Sequence, residues 1–170
     1  MVTKRYGTVP NTEQRNISGL TFVQGLVDGS LPLNTMAKVL GYDVVKAEVG
    51  RVVITAAPTN DHLNPQGTVH GGYSATLLDA CMGLAVATTL EKGKGSTTLE
   101  FKITFMRPVI ANTGTIRAVG TVLRSGRRAG YAEGKITDEN GKLLAHATTS
   151  CMIFERPGKN VSESTQPLAG

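Results

Sequence analysis

Asp79 is the residue in this sequence whose surroundings most need a chemical explanation. It is the single charged residue in a run of small and apolar side chains that extends from Gly71 to Leu90. A carboxylate in an apolar environment is costly unless something compensates it, so Asp79 is a candidate general base or nucleophile. The alternative is a structural acid that accepts hydrogen bonds from backbone or hydroxyl donors, because acids in structural networks are also perturbed.

Two glycines stand at the beginning of the same run, and their backbone amides are the second chemical candidate. If a helix begins at Gly71 and Gly72, these N–H groups are unpaired and lie at its positive end. Glycine also lets a substrate approach the backbone closely. Such amides can stabilise an oxyanion that develops during acyl transfer.

The spacing between these two candidates carries a structural prediction. Gly71 and Asp79 are eight residues apart, which corresponds to about 12 Å along a helix axis. An aspartate side chain cannot span that distance, so the two groups cannot act on one carbonyl from the same helix. If both are catalytic, a second copy of the helix must supply one of them, as in a two-fold homodimer with two shared sites.

The pattern of apolar residues predicts the elements that position these groups. The run from Gly71 to Leu90 is apolar nearly all round, which indicates a helix buried nearly all round. Strand patterns joined by short turns occur on both sides of it: "TLEFKITFM" alternates with period two, and Asn140-Gly141 is a strong hairpin signal. Short turns favour antiparallel neighbours. The predicted fold is α+β, a curved antiparallel sheet of five or six strands wrapped around one long central helix.

The chain divides into one main domain and two flanking segments. We expect residues 1–30 to form an N-terminal extension that could contain a short helix, and residues 31–155 to form the domain. The polar tail, residues 156–170, is expected to be disordered. Within the domain, "NTMAKVLG" predicts a short helix capped by Asn34 and ended by Gly41.

Composition restricts the partners. The net charge is +5, which favours an anionic partner. Aromatic residues make up 5% of the chain, and none is interleaved with the basic cluster "RSGRR", which argues against nucleic acid. The N-terminus lacks the apolar run of a signal peptide, and the two cysteines are typical of buried residues in a reducing compartment. We expect a cytoplasmic protein that binds neither nucleic acid nor membrane.

Several motifs together resemble a known family. The run "NPQGTVHGGYSATLLDA", the strand "LEFKITFMRP" and the turn "RSGRR" are similar to the hotdog-fold acyl-CoA thioesterases of the phenylacetate-pathway and thioesterase superfamily member 2 kind. The similarity extends from about Leu31 to Phe154. It implies hydrolysis of an aryl-acetyl or medium-chain acyl-CoA to free acid and CoA. It also implies a homodimer, or a dimer of dimers, that uses no cofactor besides the CoA of its substrate.

The resemblance implies roles for individual residues. The Gly71 N–H and Asn64 would polarise the thioester carbonyl, and Asp79 would act as general base or nucleophile. Thr98 matches a hydroxyl position that orients the attacking water, with the adjacent Thr97 as the alternative. Taken without the motif, Asn64 precedes a proline and would be expected to initiate a turn.

The remaining candidate residues are expected to contact the substrate. His70 would touch the leaving sulfur or only cap the helix. One arginine of the turn is expected to bind the phosphates of CoA, since guanidinium pairs well with phosphate, whereas the alternative is an ordinary solvated charge. The predicted binding set comprises Gly72, Ser125, Gly126, Arg127 and Arg128.

Two other functions remain open on the sequence alone. The segment "DHLNPQGTVH" contains an Asp-x-x-Asn-Pro fragment reminiscent of enoyl-CoA hydratases, so a hotdog hydratase or dehydratase is one alternative. His70 lies five residues after Pro65, which is farther than in those enzymes. The second alternative is a non-catalytic acyl-CoA-binding module.

Overall fold

A six-stranded antiparallel sheet and one long helix form the body of the protein. The computed structural model describes residues 4–157. The sheet has the order β1-β2-β4-β5-β6-β3, so β1 and β3 are its edge strands. Its strands are β1 (Tyr42–Glu48), β2 (Arg51–Ala56), β3 (Lys94–Phe105), β4 (Ile116–Ser125), β5 (Ala129–Thr137) and β6 (Leu143–Glu155).

The helices confirm the predicted α+β arrangement. The long helix α4 (Gly71–Ala87) contacts all six strands. Three shorter helices precede the sheet: α1 (Asn11–Asn16), α2 (Gly19–Asp28) and α3 (Thr35–Leu40). Short 3-10 turns lie at residues 60–62 and 111–113.

Helix α4 is held against the sheet at close range. Six of its apolar side chains are completely buried, as the absence of a clear polar face predicts: Leu77, Leu78, Cys81, Met82, Ala85 and Val86. A glycine in β4, Gly120, permits the approach, since an added Cβ there would lie 2.3 Å from the Cys81 carbonyl oxygen. The sheet therefore curves around the helix with backbone contacting backbone.

Local sequence signals account for the short elements. The side chain of Asn34 caps α3 by accepting a hydrogen bond of 2.9 Å from the Ala37 N–H. Gly41 ends α3 with φ of 65°, a left-handed conformation that glycine adopts without strain. At the β5–β6 turn, Asp138 Oδ1 accepts the N–H groups of Asn140 and Lys142. The predicted cap, helix end and hairpin are all confirmed.

The predicted alternation in β3 is wrong at Leu99. Strict period two would turn Leu99 toward the helix, but its side chain is 62% exposed. The pairing of β3 with β6 skips a residue between Thr98 and Glu100, which is the signature of a β-bulge. Because the bulge inserts one residue, the face of the strand changes there: Thr98 lies toward α4 before it, and Phe101 is half-buried after it.

The N-terminal segment packs onto the rest of the fold. The short helix expected within the N-terminal extension, residues 1–30, is α2, which extends over Gly19–Asp28. Val23 and Leu26 are buried in the same apolar cluster as α4. The tail expected to be disordered lies outside the described residues, apart from its first two residues, 156 and 157.

Candidate active site

The Asp79 carboxylate is half-buried on α4 and has a hydroxyl partner. Thr98 Oγ1 donates a hydrogen bond of 2.8 Å to Asp79 Oδ1. The bulge in β3 makes this contact, because it leaves Thr98 on the helix side of the strand. The neighbouring Thr97 is exposed. Of the two threonines considered from the sequence, Thr98 is the one bonded to the acid.

A cavity of about 420 Å³ opens beside this pair. Asn34 and Tyr42 line it together with Asp79, and the Tyr42 hydroxyl donates to Asn34 Oδ1 at 3.1 Å. Burial raises the pKa of Tyr42, and the negative charge of Asp79 raises it further. Tyr42 therefore stays protonated and acts as a hydrogen-bond donor beside the carboxylate.

The two cysteines near Asp79 are poor nucleophiles. Burial raises the pKa of Cys81 far above its usual range. Burial also raises the pKa of Cys151, which lines the cavity. A thiol with a raised pKa remains protonated at neutral pH and reacts slowly. The carboxylate is the better candidate for chemistry in this cavity.

Gly71 and Asn64 line a different cavity, of about 340 Å³, at the N-terminal end of α4. Among residues 4–157, no hydrogen bond uses the Gly71 N–H. This agrees with its position in the first turn of a helix. The ring of Phe105 lies beside it, since an added Cβ at Gly71 would be 3.0 Å from Phe105 Cζ.

Asn64 shapes the loop that carries it. Its Oδ1 accepts hydrogen bonds from the N–H groups of Gln66 and Thr68, at 2.9 and 3.2 Å. Its amide donates one bond of 2.8 Å to Thr68 Oγ1. A side-chain amide has two hydrogens, so one of them is left for a ligand. The turn-forming interpretation of Asn64 is therefore correct and is compatible with a second role.

His70 caps α4. Its Nδ1 accepts a hydrogen bond of 2.9 Å from the Gly72 N–H. This bond occupies the Gly72 amide and leaves the Gly71 amide as the free donor at the helix terminus. His70 itself is exposed and lines a third cavity, of about 280 Å³, with His62 and Tyr73.

Four of the predicted CoA-binding residues, Ser125 to Arg128, lie at the exposed turn between β4 and β5, whereas the fifth, Gly72, lies in the first turn of α4. Thr89, which follows α4, donates a hydrogen bond of 2.8 Å from Oγ1 to Ser125 Oγ. The side chains of Arg127 and Arg128 are exposed, and neither forms a salt bridge with any of residues 4–157. Neither arginine lines the cavities of Asp79 or Gly71.

Part of the wall of the cavity that contains Asp79 was not predicted from the sequence. Gln14, Ile17 and Phe22, from the N-terminal segment, line the cavity that contains Asp79. No motif marks them, and more than 50 residues separate them from Asp79. The sequence predicted a short helix in this extension but not that its side chains border the cavity.

Metal clusters and membrane spans are both absent from the part of the chain that the structure describes. No group of three or more histidine, cysteine, aspartate or glutamate residues there is arranged to hold a metal ion. No helix in residues 4–157 has the length and apolar character needed to cross a membrane.

Comparison with known proteins identifies the family. Residues 66–145 match the model of the thioesterase superfamily. Mouse acyl-coenzyme A thioesterase 13 is 32% identical over 124 residues, which cover 66% of this chain and 85% of the mouse protein.

Solved structures agree with this result. A phenylacetic acid degradation-related protein of Ralstonia eutropha has a TM-score of 0.70 and is 31% identical, with 77% of this chain and 98% of that one covered. A Streptococcus mutans protein bound to acetyl CoA has a TM-score of 0.62 and is 28% identical, with coverage of 68% and 90%. The protein has the hotdog fold of these relatives, is a thioester hydrolase, and belongs to the thioesterase superfamily.

Proposed function

We propose that the protein hydrolyses acyl-CoA thioesters at two sites that a homodimer forms between its subunits. The observation that carries this proposal is the division of the candidate groups within one chain. Asp79 and Thr98 share one cavity, whereas Gly71 and Asn64 share another. The eight-residue spacing on α4 corresponds to about 12 Å, so a second copy must bring the two halves together.

The edge strand β3 is the surface through which we expect the copies to pair. It is 12 residues long, and its outer edge has no partner strand among residues 4–157. A long, uncovered edge strand is a template for pairing with another chain. Apolar side chains along it are exposed, including Leu99 at 62% and Phe105 at 53%. Antiparallel pairing of β3 with a second β3 would cover both features.

The contacts of β3 also suggest the register of that pairing. Thr98 contacts Asp79, and Phe105 lies against Gly71. An antiparallel pair centred near Phe101 and Lys102 sets Thr98 of one strand opposite Phe105 of the other. This register brings the Gly71 amide of the second copy toward Asp79 of the first, and the two-fold axis generates the same site twice.

The proposed reaction follows from these positions. The Gly71 N–H and the free Asn64 amide hydrogen donate to the thioester oxygen as it becomes an oxyanion. Asp79 removes a proton from a water that Thr98 helps to orient, and the water oxygen bonds to the carbonyl carbon. The C–S bond then breaks, and the proton passes to the CoA thiolate. The products are a carboxylic acid and free CoA.

Direct attack by Asp79 is the second route, because a carboxylate can also form an acyl intermediate. Rapid quenching during turnover separates the two routes. Only direct attack forms an acyl adduct on the Asp79 carboxylate, which mass spectrometry of the corresponding peptide detects.

The rest of the proposal concerns the CoA-binding residues, the cofactor, the acyl group and the cellular compartment. Arg127 or Arg128 binds the CoA phosphates, since the turn is exposed and both guanidinium groups are free of ion pairs within residues 4–157. The reaction uses no cofactor beyond the CoA of the substrate. The acyl group is aryl-acetyl or medium-chain, and the protein acts in the cytoplasm.

Thiol release from a panel of acyl-CoAs tests the reaction. We expect hydrolysis by the native protein and a loss of about 100-fold or more in Asp79→Asn, the range for removal of a general base. An unchanged thermal midpoint of this isosteric variant excludes misfolding. Hydration of an enoyl-CoA without thiol release would favour the hydratase, and binding without turnover would favour the binding module.

Mixing two inactive variants tests the shared site. Asn64→Asp keeps the acceptor that orders the loop but loses both amide hydrogens, the one that binds Thr68 Oγ1 and the free one. After subunit exchange with Asp79→Asn, about half of the dimers are mixed, and one of their two sites has both native groups. Activity should therefore return to about one quarter of the native value, because half of the dimers are mixed and half of the sites in each mixed dimer are intact. Mixing would restore no activity if each site lay within one chain.

A further inference from the structure

We infer that the N-terminal segment is the distal wall of the acyl pocket, and that Phe22 and Ile17 set the length of the acyl group. This inference rests on the proposed function, because it assigns the acyl group to the cavity that contains Asp79. It gives residues outside the recognised motif a role in substrate choice.

The cavity follows one stripe of α4. Asp79, Gly83 and Ala87 line it, and residues spaced by four lie on the same face of a helix. The stripe from Asp79 to Ala87 is about 12 Å long. Polar residues surround Asp79, whereas Leu84, Ala87 and Leu90 make the far part apolar. An acyl group bound at Asp79 therefore has an apolar path along the helix.

Side chains of the N-terminal segment complete this far part. Phe22 of α2 and Ile17, just before it, both line the cavity. Each is half-buried and packs against the apolar core. The polar side chain of Gln14 also reaches the wall, but its amide nitrogen already donates to the Val9 carbonyl at 2.7 Å.

Backbone contacts hold the wall in place. The Gly19 N–H donates a 2.9 Å hydrogen bond to the Leu90 carbonyl. An added Cβ at Gly19 would lie 1.7 Å from the Ala87 carbonyl oxygen, so this approach requires glycine. A side-chain hydrogen bond adds a second attachment, since Arg156 Nη1 donates to Asn11 Oδ1 at 3.2 Å. The cavity therefore ends at a fixed surface.

The charged residues at the cavity do not compete with this assignment. Lys94 is paired with Glu91 at 3.2 Å. Arg156 donates from Nε to the Lys94 carbonyl at 3.2 Å, in addition to its bond with Asn11. Arg156 is therefore engaged in holding local structure, and Lys94 is in an ion pair with a largely exposed glutamate. The unengaged surface at the far end is that of Phe22, Ile17 and Leu90, which fits an alkyl or aryl terminus.

Two substitutions on opposite sides of the path should change the length preference in opposite directions. Phe22→Ala removes the wall and should admit longer chains. Gly83→Met narrows the path, and it should fold because the nearest atom to an added Cβ at Gly83 is Thr98 Oγ1 at 3.7 Å. Val23→Ala is the matched control, since Val23 is on the same helix and completely buried but does not line the cavity.

The readout is kcat/KM for acetyl-, butyryl-, octanoyl- and palmitoyl-CoA. In Phe22→Ala the palmitoyl-to-octanoyl ratio should rise about tenfold or more, because one methylene group in a fitted pocket is worth about that much. In Gly83→Met, kcat/KM for octanoyl-CoA should fall about tenfold or more relative to kcat/KM for acetyl-CoA. Val23→Ala should lower thermal stability and leave the ratios unchanged. If Phe22→Ala does not fold, Ile17→Ala makes the same test.

The outcomes separate this inference from the proposed function. Hydrolysis by the native protein with the same chain-length profile in all variants would overturn the inference and leave the function intact. If the native protein releases no thiol, the function fails, and calorimetric binding of the same acyl-CoAs to each variant decides the inference. If the order of affinities for the four acyl-CoAs changes in the Phe22 and Gly83 variants, the assignment of the distal wall is supported. If that order is unchanged, or if none of the acyl-CoAs binds, the assignment is refuted.

Discussion

Removing the Thr98 hydroxyl is the most direct test of how the site works. Thr98→Val deletes the 2.8 Å hydrogen bond to Asp79 Oδ1 and keeps the shape of the side chain nearly unchanged. A hydrogen bond to a charged group is worth about 1.5–3 kcal/mol. If the bond holds Asp79 for catalysis, the loss in kcat/KM is about 10- to 150-fold at 1.36 kcal/mol per decade.

Two companion variants show whether that loss comes from the hydroxyl. Thr98→Ser retains the hydroxyl and should keep activity within a few-fold of the native value. In an Asp79→Asn background, Thr98→Val should cause little further loss, because residues that act as a unit are not additive. The measurement is steady-state thiol release, with the thermal midpoint followed for each variant.

Two results would refute this reasoning. One is native kcat/KM in Thr98→Val with an unchanged thermal midpoint, which would make the hydrogen bond structural only. The other is full additivity with Asp79→Asn, which would mean that Thr98 acts on the substrate independently of the acid.

Three further predictions concern other parts of the molecule. Replacing Arg127 and Arg128 by Gln should raise KM for acyl-CoA but not for a truncated thioester without nucleotide, and equal effects on both would exclude phosphate binding. Gly120→Ala should lower the free energy of unfolding by about 1–3 kcal/mol or more, because its Cβ would lie 2.3 Å from the α4 backbone. The control Gly126→Ala meets its nearest atom at 3.5 Å and should change urea unfolding little. Burial raises the pKa of Cys151, so the native protein should react slowly with a thiol dye, whereas fast labelling would contradict that burial.

Local signals predicted the turns and the short helices well. Asn34 and Gly41 bound α3, and the Asn140-Gly141 signal marks the β5–β6 turn. Each depends on side-chain or backbone chemistry within about four residues. Such interactions are contained in the sequence window and need no knowledge of distant contacts.

The face of β3 at the site was not predictable in this way. Alternation places Leu99 inward, but the bulge exposes it and leaves Thr98 against Asp79. The bulge is a property of the pairing with β6, in which Thr98 is opposite Cys151. These two residues are 53 positions apart. The alternation of residues along β3 contains no information about its pairing with β6, and the bulge arises in that pairing.

The sequence by itself determined the element that carries the acid and its spacing from the glycine amides. Helical rise is the same in any context, so the eight-residue spacing alone keeps Gly71 and Asp79 of one chain from reaching the same carbonyl. Only the tertiary structure decided that Thr98 is the bonded hydroxyl and that Phe22 and Ile17 border the cavity. The physical reason is that contacts between distant segments depend on strand register and on how α2 packs, and packing is set by the whole core rather than by neighbours in the chain.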